Sequence, residues 1–380
     1  MKWPLVKLSA VAPSKPLKNP NINNTKSVWQ LNLDKVESHS GQVSKKVYDS
    51  IELAGSSTHW FDERHVLYSK LRPYLNKVVL PDEQGLATTE LVPLCPDESR
   101  LDRKYLAYYL RSEHFVSWIS DQVAGAKMPR VSMKVFWEHE IPLPPVEEQK
   151  RIAKILDKAD LIRCKRQQTI KLADDFLRSI FLDMFGADLQ RNENVIKFGD
   201  VSILDAKMVD PREEEYLDLL HIGPDRIEKN TGKLLRALTA REEGLISKKF
   251  LFDEQYILYS KIRPYLRKVA LPDFRALCSA DMYPIKPVQE KVTREFIWML
   301  LLSDFFDNYV STLPARANIP KLNKTELAEF EFSLPDFSKI AQFTEIVKRY
   351  FAHSIAISDS QVESKYLFNS LSQRAFAGDL

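Results

Sequence analysis

Two short stretches of this chain gather cations and phenols with no acid among them. Lys70, Arg72 and Lys77 stand with Tyr68 and Tyr74 in the first, and Lys261, Arg263, Arg267 and Lys268 stand with Tyr259 and Tyr265 in the second. Guanidinium and ammonium groups on a loop rim hold phosphate oxygens, and a phenol hydroxyl adds a neutral hydrogen bond to the same backbone. The chemistry this offers is recognition of a polyanion. The competing reading makes Arg-Pro-Tyr an internal turn and packing element. It suits the tyrosines equally well, but suits the cations less, because burying an unpaired cation is costly.

A second pair of segments has the same flavour. Gly125, Ala126, Lys127, Met128, Pro129 and Arg130 form a small, basic, turn-like run, and Arg316, Ala317, Asn318, Ile319, Pro320 and Lys321 form its counterpart. Lys127, Arg130, Arg316, Asn318 and Lys321 therefore join the candidate contacts, against the plainer reading of a polar surface loop.

Signatures of catalysis are missing. Neither GxxxxGK[ST] nor GxGxxG occurs, and Asn19-Pro20-Asn21 lacks the second proline and aromatic of an amino-methyltransferase motif. Pro81-Asp82 followed by Glu90 begins like a nuclease PD...ExK motif, but Glu90-Leu91-Val92 and the equivalent Asp281-Met282-Tyr283 lack the lysine. The carboxylates then read as hydrogen-bonding or solvated groups. The seven histidines have no metal-ligand spacing, and Cys95, Cys164 and Cys278 form no CxxC pair, which fits reduced packing residues. No catalytic residue, metal or cofactor is expected.

The elements that must position these groups are written twice. Residues 67–82 read LYSKLRPYLNKVVLPD and residues 258–273 read LYSKIRPYLRKVALPD, differing at three positions. The same offset sets Thr88, Thr89, Glu90 and Leu91 on Ser279, Ala280, Asp281 and Met282, Pro129 on Pro320, and Leu143-Pro144 on Leu334-Pro335. Upstream, Val36, Glu37, Ser40 and Gly41 fall on Ile227, Glu228, Thr231 and Gly232, whereas residues 43–60 show little likeness to 234–251. The chain is a tandem duplication whose copies share a frame and differ in an insert.

Each half reads as an α+β domain of short strands followed by a long helix. The first helix opens at the proline-rich stop Pro142, Leu143, Pro144, Pro145 and meets no glycine or proline before Gly186, a candidate C-terminal cap. Its roughly forty residues make a rod of about 60 Å. Ile152, Ile155, Ala159, Ile162, Ala173, Phe176 and Ile180 follow heptad spacing, as do Phe343, Ile346, Tyr350, Ile357, Leu367 and Leu371 in the second copy. Two such helices can pack antiparallel as a coiled coil and hold two globular halves apart; alternatively, each stripe packs on its own domain. The expected fold class is therefore α+β, with two tandem α/β domains and a pseudo-two-fold internal repeat. Its segments are residues 1–142, a helix over 143–186, residues 187–333 and a helix over 334–380.

Composition permits this and little else. A chain of 380 residues exceeds one ordinary core, and 44% apolar residues suffice for two. A net charge of +3 neither proves nor excludes a nucleic-acid partner. No long apolar run suggests a membrane span, and Met1 to Ala10 lack the pattern of a signal peptide, so a cytoplasmic location is expected.

The paired SKLRPYL and SKIRPYL elements, the paired TTEL and SADM segments, Leu143-Pro144-Pro145-Val146-Glu147-Glu148-Gln149 opening a helix, and the run at residues 367–380 together resemble the specificity subunits of Type I restriction-modification systems. The resemblance covers the full chain. It implies two target-recognition domains that bind double-stranded DNA, each reading one half of a bipartite site. It further implies helices on which two methyltransferase subunits dock with S-adenosylmethionine chemistry, and ATP-dependent restriction subunits joining that core. The second helix departs from the pattern, since Leu334-Pro335-Asp336-Phe337-Ser338-Lys339-Ile340 lacks the Glu-Glu-Gln opening. Rival readings are an enzyme with an unfamiliar site, a structural coiled-coil adaptor, or a specificity module of another multi-subunit restriction or methyltransferase system.

Overall fold

The computed structural model describes residues 3–21, 27–53, 55, 58–124, 128–191, 193–314 and 320–380. The chain forms two compact units, Met1–Gln168 with Ser358–Leu380, and Thr169–Ile357. Each division falls inside a long helix, the central one spanning Val146–Leu189 and the distal one Phe337–Ala377.

In the first unit a four-stranded sheet runs in the order Tyr48–Ser50, Ser27–Leu31, Gly85–Thr88, Thr58–Phe61, with the two middle strands parallel. A three-stranded antiparallel sheet follows the order Val78–Val79, Val66–Ser69, Leu91–Leu94. The two-residue alternation of a strand explains the layering. Leu67 points into a cluster with Trp29, Leu31, Phe61 and Ala87 of the other sheet. Its neighbours Val66 and Tyr68 point the opposite way, against the helix Arg103–Arg111, Phe115, and Ile152, Leu156 and Ala159 of the central helix.

The second unit repeats this plan. Its first sheet runs Met208–Val209, Lys249–Phe252, Ala276–Cys278, Leu220–Ile222, Leu238–Thr239. Its second contains Ser202–Ile203, Met282–Pro287, Ile257–Ser260 and Val269–Ala270. Leu258 joins Ile222, Phe252 and Met282 between the sheets, while Ile257 and Tyr259 face the helix Arg294–Leu302.

Within each unit the long helices pair antiparallel. In the second unit Asp174 accepts from the Tyr350 hydroxyl, and Asp188 pairs with Lys339 at 2.8 Å, so numbers rise along one helix as they fall along the other. In the first, Arg151 donates to the Leu380 carbonyl at 2.7 Å, and Arg163 lies 5.3 Å over the Phe368 ring. The coiled-coil pairing expected from the heptads is present, but its frame differs. Ile162 and Phe176 face solvent, Phe176 being 67% exposed, while Leu177, Phe181, Phe185 and Leu189 form the buried row. That row recurs every four residues, and an α-helix of 3.6 residues per turn does not hold a strict seven-residue frame over such a length. The side chain of Ile357 lies outside those described.

Gly186 does not end the central helix, which continues through it to Leu189. Phe185 and Leu189 carry the buried row past the glycine and keep that turn helical. The helix openings differ for a visible reason. Gln149 is fully buried, accepts from the Asp102 N–H at 2.8 Å, and donates to the carbonyls of Arg100 and Pro144. The equivalent residue, Ile340, fills the same place with apolar packing.

Candidate nucleic-acid interface

In both units the repeated basic stretch folds as one turn. After the strand Val66–Ser69, the Lys70 N–H bonds the Glu90 carbonyl at 3.0 Å, and the Lys70 carbonyl accepts from Val131 at 2.9 Å. Arg72 then adopts φ 49° and donates its N–H to the Pro129 carbonyl at 2.8 Å. Pro73 begins a 3-10 turn through Leu75, and Asn76 returns to φ 49°. In the second unit Lys261 bonds Asp281 at 3.1 Å and Leu322 at 2.9 Å, Arg263 has φ 49°, and its N–H meets the Pro320 carbonyl at 2.8 Å. The duplicated sequence thus ties each basic turn to its own loop, one before Arg130 and the other before Lys321.

The candidate residues separate into three groups. Tyr68 and Tyr259 are 4% and 1% exposed and belong to the core. Tyr68 packs on Phe115 and Phe136, Tyr259 on Phe306, and burial pushes both phenols above their ordinary pKa. Packing is the role the structure gives these two. A second group is committed to internal partners. Lys77 Nζ donates to the Leu33 carbonyl at 2.7 Å, its pKa lowered by burial, and Lys268 Nζ donates to the Pro224 carbonyl at 2.6 Å. Arg267 bridges Asp304 and Asp307 at 2.6 and 2.7 Å.

The third group faces outward. Arg72, Tyr74, Arg130, Arg263 and Lys321 are exposed and Lys70 is half-buried. Lys70, Arg72, Arg263 and Lys321 have no ion-pair partner among the described residues. Arg130 pairs with Glu90 at 3.0 Å, which holds its guanidinium protonated, and this accounts for Glu90 as a hydrogen-bonding carboxylate. Lys261 Nζ lies 2.5 Å from the Ala280 carbonyl and 3.9 Å from Asp281. Lys127, Arg316 and Asn318 lie outside the described residues.

Sequence reasoning named no single residue of the divergent inserts. The structure places His59 beside the turn, on the strand Thr58–Phe61, where burial and then Lys70 lower its pKa. It likewise sets the loop before Lys249–Phe252 at the end of the sheet nearest the second turn, since Phe250 pairs with Cys278, three residues before the Asp281 that receives the Lys261 N–H. Strand pairing carries this information, and the turn motif alone does not. Among the described residues no group of histidines, cysteines and carboxylates could hold a metal ion. Among the described residues, too, no helix is long and apolar enough to cross a membrane.

Comparison with known proteins gives this geometry a context. The family profile of the Type I restriction modification DNA specificity domain matches residues 65–173 and 233–364, more than half of the chain. The chain is 32% identical over 196 residues to the Type I restriction enzyme EcoDI specificity subunit of Escherichia coli, a match covering 50% of this chain and 43% of that subunit. It is 22% identical over 308 residues to the Type I restriction enzyme MjaVIII specificity subunit of Methanocaldococcus jannaschii, covering 70% of this chain and 67% of that one. Among solved structures, the S subunit of a Type I restriction-modification system from M. genitalium superposes with a TM-score of 0.57 at 15% identity, covering 99% of this chain and 96% of that one. A chain from a structural study of complex assembly and conformational transition in the type I R-M system gives 0.51 at 16%, covering 100% and 98%. At these identities the structural likeness concerns the fold.

Proposed function

The chain belongs to the family of Type I restriction-modification DNA specificity subunits, and from that premise we propose that it binds double-stranded DNA at a bipartite target, each unit reading one half-site. The observation that carries this is the basic turn built twice with the same backbone, leaving Arg72 and Lys70 in one unit and Arg263 and Lys321 in the other without an anion to pair with among the described residues. These side chains grip phosphates, Tyr74 and Arg130 extend the rim, and Lys127, Arg316 and Asn318, close by in sequence, add to the contacts. The inserts at residues 43–60 and 234–251 read base edges, so the half-sites differ as the inserts differ. Residues 1–142 and 187–333 act as the target-recognition domains, and the helical segments 143–186 and 334–380 form the spacer. Linking two readers makes the second contact intramolecular and raises affinity without new surface. A rigid spacer sets the half-sites about one helical turn of DNA apart.

The chain itself performs no chemistry in this reading. It recruits two methyltransferase subunits and the ATP-dependent restriction subunits in the cytoplasm. Support for docking comes from large apolar side chains left in solvent on the long helices: Leu161, Ile162, Tyr366 and Leu367 in the first unit, Leu172 and Phe176 in the second. The deciding experiment maps methylated sites in cells expressing the chain with its methyltransferase subunits. Exchanging residues 41–60 and the 125–130 loop for a relative's should alter only one half-site and leave the spacer unchanged. A change in both half-sites at once would mean a single shared recognition surface.

A further inference from the structure

Ile246 is 78% exposed, more than any other large hydrophobic side chain among the described residues. A single exposed apolar residue ordinarily calls for no explanation. Here both flanks of the loop hold it outward.

On one side the helix Ala240–Glu243 closes at Gly244, which has φ 61° and bonds the Arg241 carbonyl at 3.2 Å, while the Leu245 N–H returns to the Ala240 carbonyl at 3.1 Å. Leu245 packs on the cluster of Tyr216, Ala240 and Leu277, the apolar contact that accompanies such a helix end. On the other side Lys249 is only 7% exposed, and its ammonium donates to Ser247 Oγ at 2.6 Å and to the Ser247 carbonyl at 2.9 Å. A cation taken out of water needs such bonds, and they fix the chain one residue beyond Ile246. The isoleucine is therefore presented from a rigid loop.

Strand register places that loop. Phe250 pairs with Cys278 on the last rung of this ladder, so the loop before Lys249 and the turn at residues 279–281 leave the sheet at the same end. The Asp281 carbonyl receives the Lys261 N–H at 3.1 Å, and the Ala280 carbonyl receives Lys261 Nζ. The loop that carries the apolar knob thus lies at the end of the sheet that meets the basic turn of Arg263. Among base edges only thymine offers an apolar group of this size, its methyl, in the major groove. Gly55 occupies the equivalent position of the first unit, so the device belongs to one half-site alone.

We propose that Ile246, held out by the Gly244 turn and the Lys249–Ser247 bonds, selects a thymine methyl in the half-site contacted by the second unit. This rests on the chain being a DNA reader. The test takes the full chain assembled with its methyltransferase subunits, wild type and Ile246→Ala, on duplexes of the mapped target. Each thymine of the half-site is replaced in turn by uracil, which pairs alike but lacks the methyl. One replacement should weaken wild-type binding about three- to tenfold, the scale of one apolar base contact. The same replacement should leave Ile246→Ala unaffected. Thermal melting should match between the two proteins, since an exposed side chain is removed. Equal sensitivity of both proteins at every position overturns the proposal, as does a half-site with no A·T pair. Failure of Ile246→Ala to assemble with the methyltransferase subunits assigns the residue to a protein contact and also overturns it. A wild-type complex with no sequence preference would instead sink the DNA-reading function, and this inference with it.

Discussion

Arg72 donates its main-chain N–H to the carbonyl of Pro129 at 2.8 Å from a left-handed backbone, φ 49°, that side-chain-bearing residues seldom adopt. Arg263 and Pro320 reproduce the bond, the distance and the angle. Glycine meets that backbone at no steric cost, yet both copies place an exposed arginine there. Such local strain, of order 1 kcal/mol per residue, marks a position held for its side chain.

Replacing Arg72 and Arg263 by glycine keeps the turn and removes the guanidinium groups. The melting temperature should stay level or rise, while affinity should fall for all DNA sequences alike. The slope of log K against log salt should flatten by about one unit for each phosphate no longer neutralised. Binding titrations over a salt series check this, and an unchanged slope in a folded protein would return both arginines to a structural role.

Glycines separate into those the fold needs and those it merely carries. A Cβ on Gly41, at φ 67°, would stand 2.0 Å from the Val78 carbonyl oxygen, so Gly41→Ala should cost at least about 2 kcal/mol. Gly186 has nothing within 4 Å of a built Cβ and lies inside the central helix. Gly186→Ala should therefore stabilise the second unit by about 0.5–1 kcal/mol. Denaturant unfolding of both variants distinguishes the two cases.

His139 sits with its ring 4.0 Å from that of Trp118, and its Nε2 is 2.9 Å from the Tyr109 hydroxyl. Burial, and then His114, lowers its pKa from 6.5 to about 4. Folding favours the neutral ring, so its contribution is complete above pH 6.5 and is lost progressively as pH falls toward 4. Melting temperatures across that window should decline in the wild type and decline less in His139→Phe. Phenylalanine already fills the equivalent place in the second unit, as Phe330. Parallel declines would show that other groups govern the acid limb.

Purified alone, the chain should neither methylate nor cleave DNA. Incorporation of labelled methyl groups and nicking of supercoiled DNA are the assays. Methyl transfer by a preparation free of other subunits would refute the non-catalytic reading.

The duplication and its α+β plan could be read from the sequence because both copies keep nearly the same residues through the turn and the same Leu-Pro stop before the long helix. The paired arginines were legible for the same reason. Lys77, Lys268 and Arg267 were not separable from them, because the groups that occupy them, the carbonyls of Leu33 and Pro224 and the carboxylates of Asp304 and Asp307, come from distant segments. Tyr68 and Tyr259 misled because a phenol is at home in a core or on a rim. The heptad frame slipped at Phe176 because Leu177 beside it is equally apolar, and only packing against Phe343 and Val347 decides between them.

The division of the first unit between two stretches of chain bears on the order in which a newborn molecule matures. Residues 169–357 form the second unit without interruption, so it holds all its parts soon after they leave the ribosome. The first unit is translated earlier but must wait for residues 358–380, which bring Phe368 against Tyr108 and Phe376 against Tyr105 and Tyr109. Until synthesis reaches them, that aromatic surface stays open to water and chaperones, and the half begun first is the half completed last.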